Sequence, residues 1–183
     1  MERLQARALV DKYTDKDITV RHLISVEGVM RALADRFGAD PNRWGLVGLW
    51  HDLDYDQTQE DLDRHGLQTV EWLRDEGCTD DEVLNAILGH RFEQNRTDLM
   101  SMAIVHADAV AGLLVAAALV RPEKAAGMSV KSVKKKLKEK SFAPGVDREE
   151  IRNVESSIGL TMDDFIGVSI SGLQSVAPEI DLE

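Results

Sequence analysis

The chain has 183 residues, 43% of them apolar, with 22 Lys and Arg against 33 Asp and Glu for a net charge of −11 at pH 7. That is about one domain's worth of chain with enough apolar content for a core, which excludes wholesale disorder; a surface this acidic excludes non-specific binding to a nucleic-acid polymer. A lone cysteine, Cys78, excludes an intrachain disulfide and a Cys-rich zinc site, and it points to a reducing compartment. The stretch Met1–Asp17 carries charge throughout and lacks an apolar signal core, so a cytoplasmic protein is expected.

Apolar residues recur at three- and four-residue spacing with little β-branched alternation, so the expected fold class is all-α. The first helix is expected over Glu2–Lys12 and the second over Ile18–Phe37, stopped by Gly38. Pro41 opens a third, through Trp50 toward Asp52. A fourth is read over Gln59–Glu76, and Thr79-x-x-Glu82 has the form of a capping box for a fifth, running to Arg91. Leu99–Val120 contains no Lys, Arg or Glu and is about the length of a membrane span. It nevertheless holds His106 and Asp108, and a mid-span Asp costs about 2.5–3.5 kcal/mol on insertion scales, so the reading is the central helix of a bundle and no membrane partner. Three shorter helices follow over Ser129–Lys140, Arg148–Ile158 and Asp163–Val176.

Candidate chemistry begins with the histidines. His22 heads a stripe through Val26, Val29 and Leu33, and His90 continues one from Val83 and Ile87. His65 is read beside Leu62, Thr69 and Trp72 on the fourth helix. Any one of these could be a core histidine bonded to a carbonyl; together, with carboxylates to match, they suggest a site. Asp108 shares a face with Ile104, Ala111 and Val115, with no local cation to pair it. A buried carboxylate in that position needs a partner from elsewhere in the fold or a metal. His51-Asp52 supplies a second imidazole–carboxylate pair where the third helix ends. His106 lies about 200° from Asp108 around the helix and is read as a core residue.

The ordered set His22, His51-Asp52, His65, His90 and Asp108 resembles the signature of the HD-domain metal-dependent phosphohydrolases. The resemblance covers about residues 18–122, and the tail RPEKAAGMSVKSVKKKLKEKSFAPGVDREEI is similar to that of a subgroup of small HD proteins. It implies one domain over 1–183: an all-α HD-domain helical bundle over about 18–122 with a short lysine-rich helical extension over 123–183. It also implies that His22, His51, Asp52 and Asp108 hold a divalent metal (Mn, Fe, Co, Ni, Zn or Mg), with a second metal possible on Asp52, His65 and His90. If no second ion binds, His65 and His90 would bind the substrate's phosphate instead. Two imidazoles with two carboxylates suit such ions, which lower the pKa of a water and polarise a phosphoryl oxygen.

The sequence also departs from well-known branches of that family. Leu53-Asp54-Tyr55-Asp56 follows the pair, in place of the Gly-Lys of cyclic-dinucleotide phosphodiesterases, and half the Glu-Asp motif of the alarmone hydrolases is missing. Asp56 is either a general acid or base or a solvated turn residue. Arg91 is the candidate phosphate contact, and Arg148 is expected to cap or pair locally. Lys131, Lys134, Lys135 and Lys138 form one face of a helix, either solvated or guiding a polyanionic substrate. The expected function is hydrolysis of a small phosphorylated metabolite or nucleotide through a metal-activated water, with Asp52 and Asp56 as catalytic candidates. The alternatives are a di-iron oxygenase, for which Glu27 would be the nearest extra ligand but sits about 140° from His22 around the helix, or a metal- or nucleotide-binding regulatory module. The sequence is silent on oligomeric state.

Overall fold

In the computed structural model, which describes residues 1–183, the apolar stretch from Leu99 is the central helix of an all-α bundle with no strand. The helices are α1 (Arg3–Tyr13), α2 (Asp17–Phe37), α3 (Pro41–Trp50), α4 (Tyr55–Thr58), α5 (Leu67–Asp75), α6 (Asp81–Gly89), α7 (Leu99–Leu119), α8 (Val130–Lys138), α9 (Arg148–Arg152), α10 (Val154–Ile158) and α11 (Met162–Val176). α7 is long and apolar enough to cross a membrane, yet most of it is buried inside the bundle. Its neighbours are α2, α3, α6 and four helices of the extension.

Small residues set how closely α2 is approached. A side chain on Gly48 would meet the Val26 carbonyl at 2.7 Å, so α3 lies directly on α2. Gly28 and Gly172 face one another so closely that a Cβ on either would reach the other's carbonyl oxygen within 2.5 Å, which seats α11 on α2 from another side. The extension is therefore part of the same core: one cluster of buried apolar residues runs from Ala6 through Leu114 to Phe165 and Leu182.

The helix ends follow local chemistry. Asp40 caps α3 through Asn42 N at 2.8 Å, with Pro41 in the first turn, and Gly38 closes α2 at φ +67°. Asp98 and Ser101 form a reciprocal capping box for α7, and Ser129 and Ser132 do the same for α8.

Three expected elements differ. The helix read over Gln59–Glu76 exists only from Leu67; before it the chain makes turns, because Asp54 accepts from Gly66 N at 2.8 Å and Thr69 N at 2.9 Å while Gly66 sits at φ +83°. The cap of α6 is Asp80, whose carboxylate accepts from Val83 N, and not the Thr79-x-x-Glu82 box. The helix read over Arg148–Ile158 is divided at Asn153 into α9 and α10.

Candidate metal centre

Each histidine reaches the centre by its own local route. His51 and His90 are the C-cap residues of α3 and α6, where the last carbonyls of a helix lack partners. Each ring turns back so that Nδ1 donates to a carbonyl three residues earlier: His51 to Gly48 O at 2.9 Å, His90 to Ile87 O. His65 lies in the turn before α5, not on a helical stripe, and its Nδ1 donates to Asp54 Oδ1 at 2.7 Å. His22 projects from α2. With Nδ1–H engaged on three rings, the hydrogen-bond pattern leaves the Nε2 lone pairs of His51, His65 and His90 directed inward.

These lone pairs converge on two carboxylates. His22 Nε2 lies 3.2 Å from His51 Nε2 and 3.1 Å from Asp108 Oδ1. His65 Nε2 and His90 Nε2 are 3.0 Å apart, and both face Asp52 Oδ1, at 3.2 and 3.4 Å. Asp52 stands between the groups, with Oδ1 3.6 Å from His51 Nε2 and Oδ2 3.8 Å from His22 Nε2. Ligand atoms about 2.1 Å from one ion stand roughly 3 Å apart at right angles. His22, His51 and Asp108 could hold one metal ion, and Asp52, His65 and His90 a second.

The electrostatics match a site built for cations. Burial alone would lower the His51 pKa, but the charge of Asp52 and the Asp108 carboxylate outweigh it and push it up to about 9. Burial opposes protonation of His65 as well, yet Asp52 and Asp54 carry it to about 9. Burial would raise Asp52 and Asp108; the facing imidazoles instead hold both carboxyls well below the usual range. Without a metal the centre gathers protons, and each proton occupies a lone pair that a cation would take.

The site opens into a cleft of about 880 Å³. His22, Asp52, His65, His90 and Asp108 line its inner end, together with Tyr55, whose ring meets His65 edge-on. Asp108 is not the enclosed carboxylate expected from its neighbours: its side chain is 38% exposed, because its face of α7 looks into the cleft. Arg91 lies on this cleft, as does Arg21, and neither side chain is held by an ion pair or hydrogen bond within the chain.

Other candidates lie apart. Asp56 does not line the cleft: its carboxylate accepts from Asp15 N and Lys16 N at 3.1 Å and from Thr19 Oγ1 at 2.8 Å, securing the turn into α2. Glu27 is buried, its carboxylate forked by Arg3 at 2.6 and 2.9 Å and bonded to Arg31, so it points away from His22. His106 is buried, with Nδ1 donating to Glu150 O at 2.7 Å. None of the α8 lysines lines the cleft; Val133 and Leu137 bury the opposite face, and Lys134 pairs with Asp163. Arg148 caps locally, donating to the carbonyls of Leu137, Glu139, Phe142, Ala143 and Val146. Cys78 does not line this cleft and lies in a separate pocket beside Trp50 and Arg43.

Asp54 is the residue that the sequence reading missed. It is fully buried and aims His65 while capping the chain at Gly66 and Thr69. The available signal was its place two residues after Asp52, in a segment too polar to be buried without partners.

No curated protein and no solved structure matches the chain. The family model for the HD domain matches residues 19–126, which runs from the first turn of α2 past the end of α7 and takes in every residue of the two ligand groups. With more than half of its length matched, and with the histidines and aspartates gathered as described, the chain belongs to the HD domain family.

Proposed function

We propose that the protein is a metal-dependent phosphohydrolase acting on a small phosphorylated molecule, with His22, His51, Asp52 and Asp108 as ligands of one divalent cation. Asp52, His65 and His90 hold a second. The observation that carries this reading is the convergence of inward-facing Nε2 lone pairs on Asp52 and Asp108, an arrangement whose mutual repulsion only protons or cations relieve. HD domains are in general metal-dependent phosphohydrolases, which supports the same conclusion. A divalent cation in this donor set supplies Lewis acidity toward a phosphoryl oxygen and lowers the pKa of water.

The chain's own residues do the rest. Asp52, facing both groups, orients the attacking water and accepts a hydrogen bond from it. His65, held by Asp54, keeps its Nε2 aimed at the reacting centre. Arg91 and Arg21, next in sequence to His90 and His22 and uncommitted within the chain, bind phosphoryl oxygens beside the metal ligands.

The test is anaerobic. Protein loaded with Mn²⁺, Co²⁺ or Ni²⁺ is expected to release phosphate or an alcohol from members of a phosphoester panel under argon. Turnover seen only with iron, and only with substrate-dependent oxygen uptake, would overturn the hydrolase in favour of an oxygenase. Tight metal binding without any turnover would overturn it in favour of a regulatory module.

A further inference from the structure

The cleft does not end at the carboxylates. Gly112, Val115 and Leu119 follow Asp108 on α7 at the fourth, seventh and eleventh positions, so they continue its face outward, and all line the cleft. At a helical rise of 1.5 Å per residue that apolar track, from Gly112 to Leu119, is about 10 Å long and begins about 6 Å from Asp108. Ile18, one turn before His22 on α2, and Val146 of the extension line the same space. The volume of about 880 Å³ is of the size that encloses a whole organic molecule, far more than a phosphoryl group fills.

Polarity divides along this track. The inner end carries the imidazoles, the carboxylates and the uncommitted Arg21 and Arg91. The outer stretch of α7 offers no hydrogen-bonding side chain, and the polar residues that line the cleft from the other side are engaged within the chain: Arg96 with Gly89 O and Glu150, and Asp147 with the N–H groups of Glu149 and Glu150. At the mouth, Ile18 is 75% exposed and Leu119 57% exposed, two large aliphatic side chains standing in water on the rim that the ligand groups share.

We infer that the substrate is a phosphate monoester of an aliphatic chain, its phosphoryl group among the histidines and aspartates and its chain lying along Gly112, Val115 and Leu119. This rests on the phosphohydrolase reading. In the reaction, water adds to phosphorus, the bond from phosphorus to the chain's oxygen breaks, and that oxygen takes a proton to leave as an alcohol beside inorganic phosphate.

The test separates the chain site from the chemistry. Methyl-, butyl- and octylphosphonate, which cannot be hydrolysed, are titrated calorimetrically into Mn²⁺-loaded protein, and turnover of the matching alkyl phosphates is measured in parallel. Affinity is expected to rise with length, by about fourfold for each methylene buried. Ala116→Trp, which fills the track, and Leu119→Asp, at a position solvated enough to keep the fold, should each lower the octyl-to-methyl affinity ratio at least tenfold. A flat series, or a preference for nucleotides, with hydrolysis intact would overturn the chain inference and leave the hydrolase standing. Length-dependent binding without hydrolysis of any phosphate would retain the chain site and overturn the hydrolase alone. A flat series together with a solution dimer that Leu119→Asp dissociates would assign the apolar rim to a second copy and overturn the inference.

Discussion

Asp54 Oδ1 accepts a 2.7 Å hydrogen bond from His65 Nδ1, while its other oxygen receives the N–H groups of Gly66 and Thr69. One buried carboxylate thus sets both the tautomer of an inward-facing histidine and the turn that brings it there. Asp54→Asn keeps the size but can serve only some of these donors. Metal affinity at the Asp52, His65 and His90 group should fall by about 10- to 100-fold, as loss of a group supporting a ligand commonly does, while His22, His51 and Asp108 still bind. Two-site metal titration by calorimetry checks this, and equal loss at both groups would refute it.

Asp108→Ala and His51→Ala remove a ligand from the first group without opening a large apolar void. Each should abolish stoichiometric binding there, measured by elemental analysis of protein prepared without chelator, with the helical circular-dichroism signal retained. Full metal content in both variants would show that these residues are not ligands.

Proton competition sets a pH dependence. His51 and His65 in the metal-free protein titrate at about 9, above the ordinary histidine value of 6.5. A histidine whose pKa is raised by folding adds stability that is fully present below about 6.5 and disappears as the pH climbs through 9. The melting temperature of metal-free protein should therefore fall across that interval. Metal affinity should rise over the same interval, since fewer protons need displacing, and binding should release protons into weakly buffered solution. A metal affinity independent of pH between 6.5 and 9 would contradict this.

Asp56 is a structural anchor of the turn into α2. Its side chain is 3% exposed and accepts three hydrogen bonds within the chain, beside the Lys16 ammonium at 3.4 Å. Asp56→Ala removes the acceptor of the buried Thr19 hydroxyl and of the Asp15 and Lys16 N–H groups and should cost about 1–3 kcal/mol in denaturant unfolding, with metal content unaltered. Burial works to raise its pKa, but the bonds from Thr19 and the two backbone N–H groups hold it below the usual value. Its contribution should therefore be complete above its ordinary pKa and be lost as the pH falls further, which acid unfolding of wild type and variant would compare.

Arg148 gathers five carbonyls from Leu137 to Val146, including that of Ala143, a non-glycine residue at φ +45°. Lysine supplies charge but not the planar fork, so Arg148→Lys should release this wall of the cleft. Amide hydrogen exchange should accelerate at residues 139–147, and not in α2 or α6. Exchange that stays unchanged in this segment would show that the guanidinium is dispensable.

Several features were legible because they depend only on neighbours in sequence. The all-α class, the limits of α2 and α3, the extent of α7 and the placement of His22 and Asp108 on helix faces follow from apolar spacing, from Gly38 and Pro41, and from the lack of Lys, Arg and Glu over Leu99–Val120, all of which act locally. The ordered histidines and aspartates named the centre for the same reason: metal chemistry needs those donors, whatever the fold that assembles them. Three-dimensional packing decided the rest. His65 lies in a turn and not on a stripe because Asp54, eleven residues earlier, captures the backbone there. Asp56 and Asp54 look alike as sequence, two acidic residues in one segment, yet one anchors the α1–α2 turn and the other aims a ligand. Only the direction each carboxylate takes, Asp54 from the N-cap of α4 and Asp56 from its first turn, separates them. Whether Asp108 would be enclosed or open, and whether the extension would stand apart or form a wall of the cleft, depended on contacts such as Gly28 against Gly172. Those contacts join residues 144 positions apart, and short-range periodicity holds no record of them.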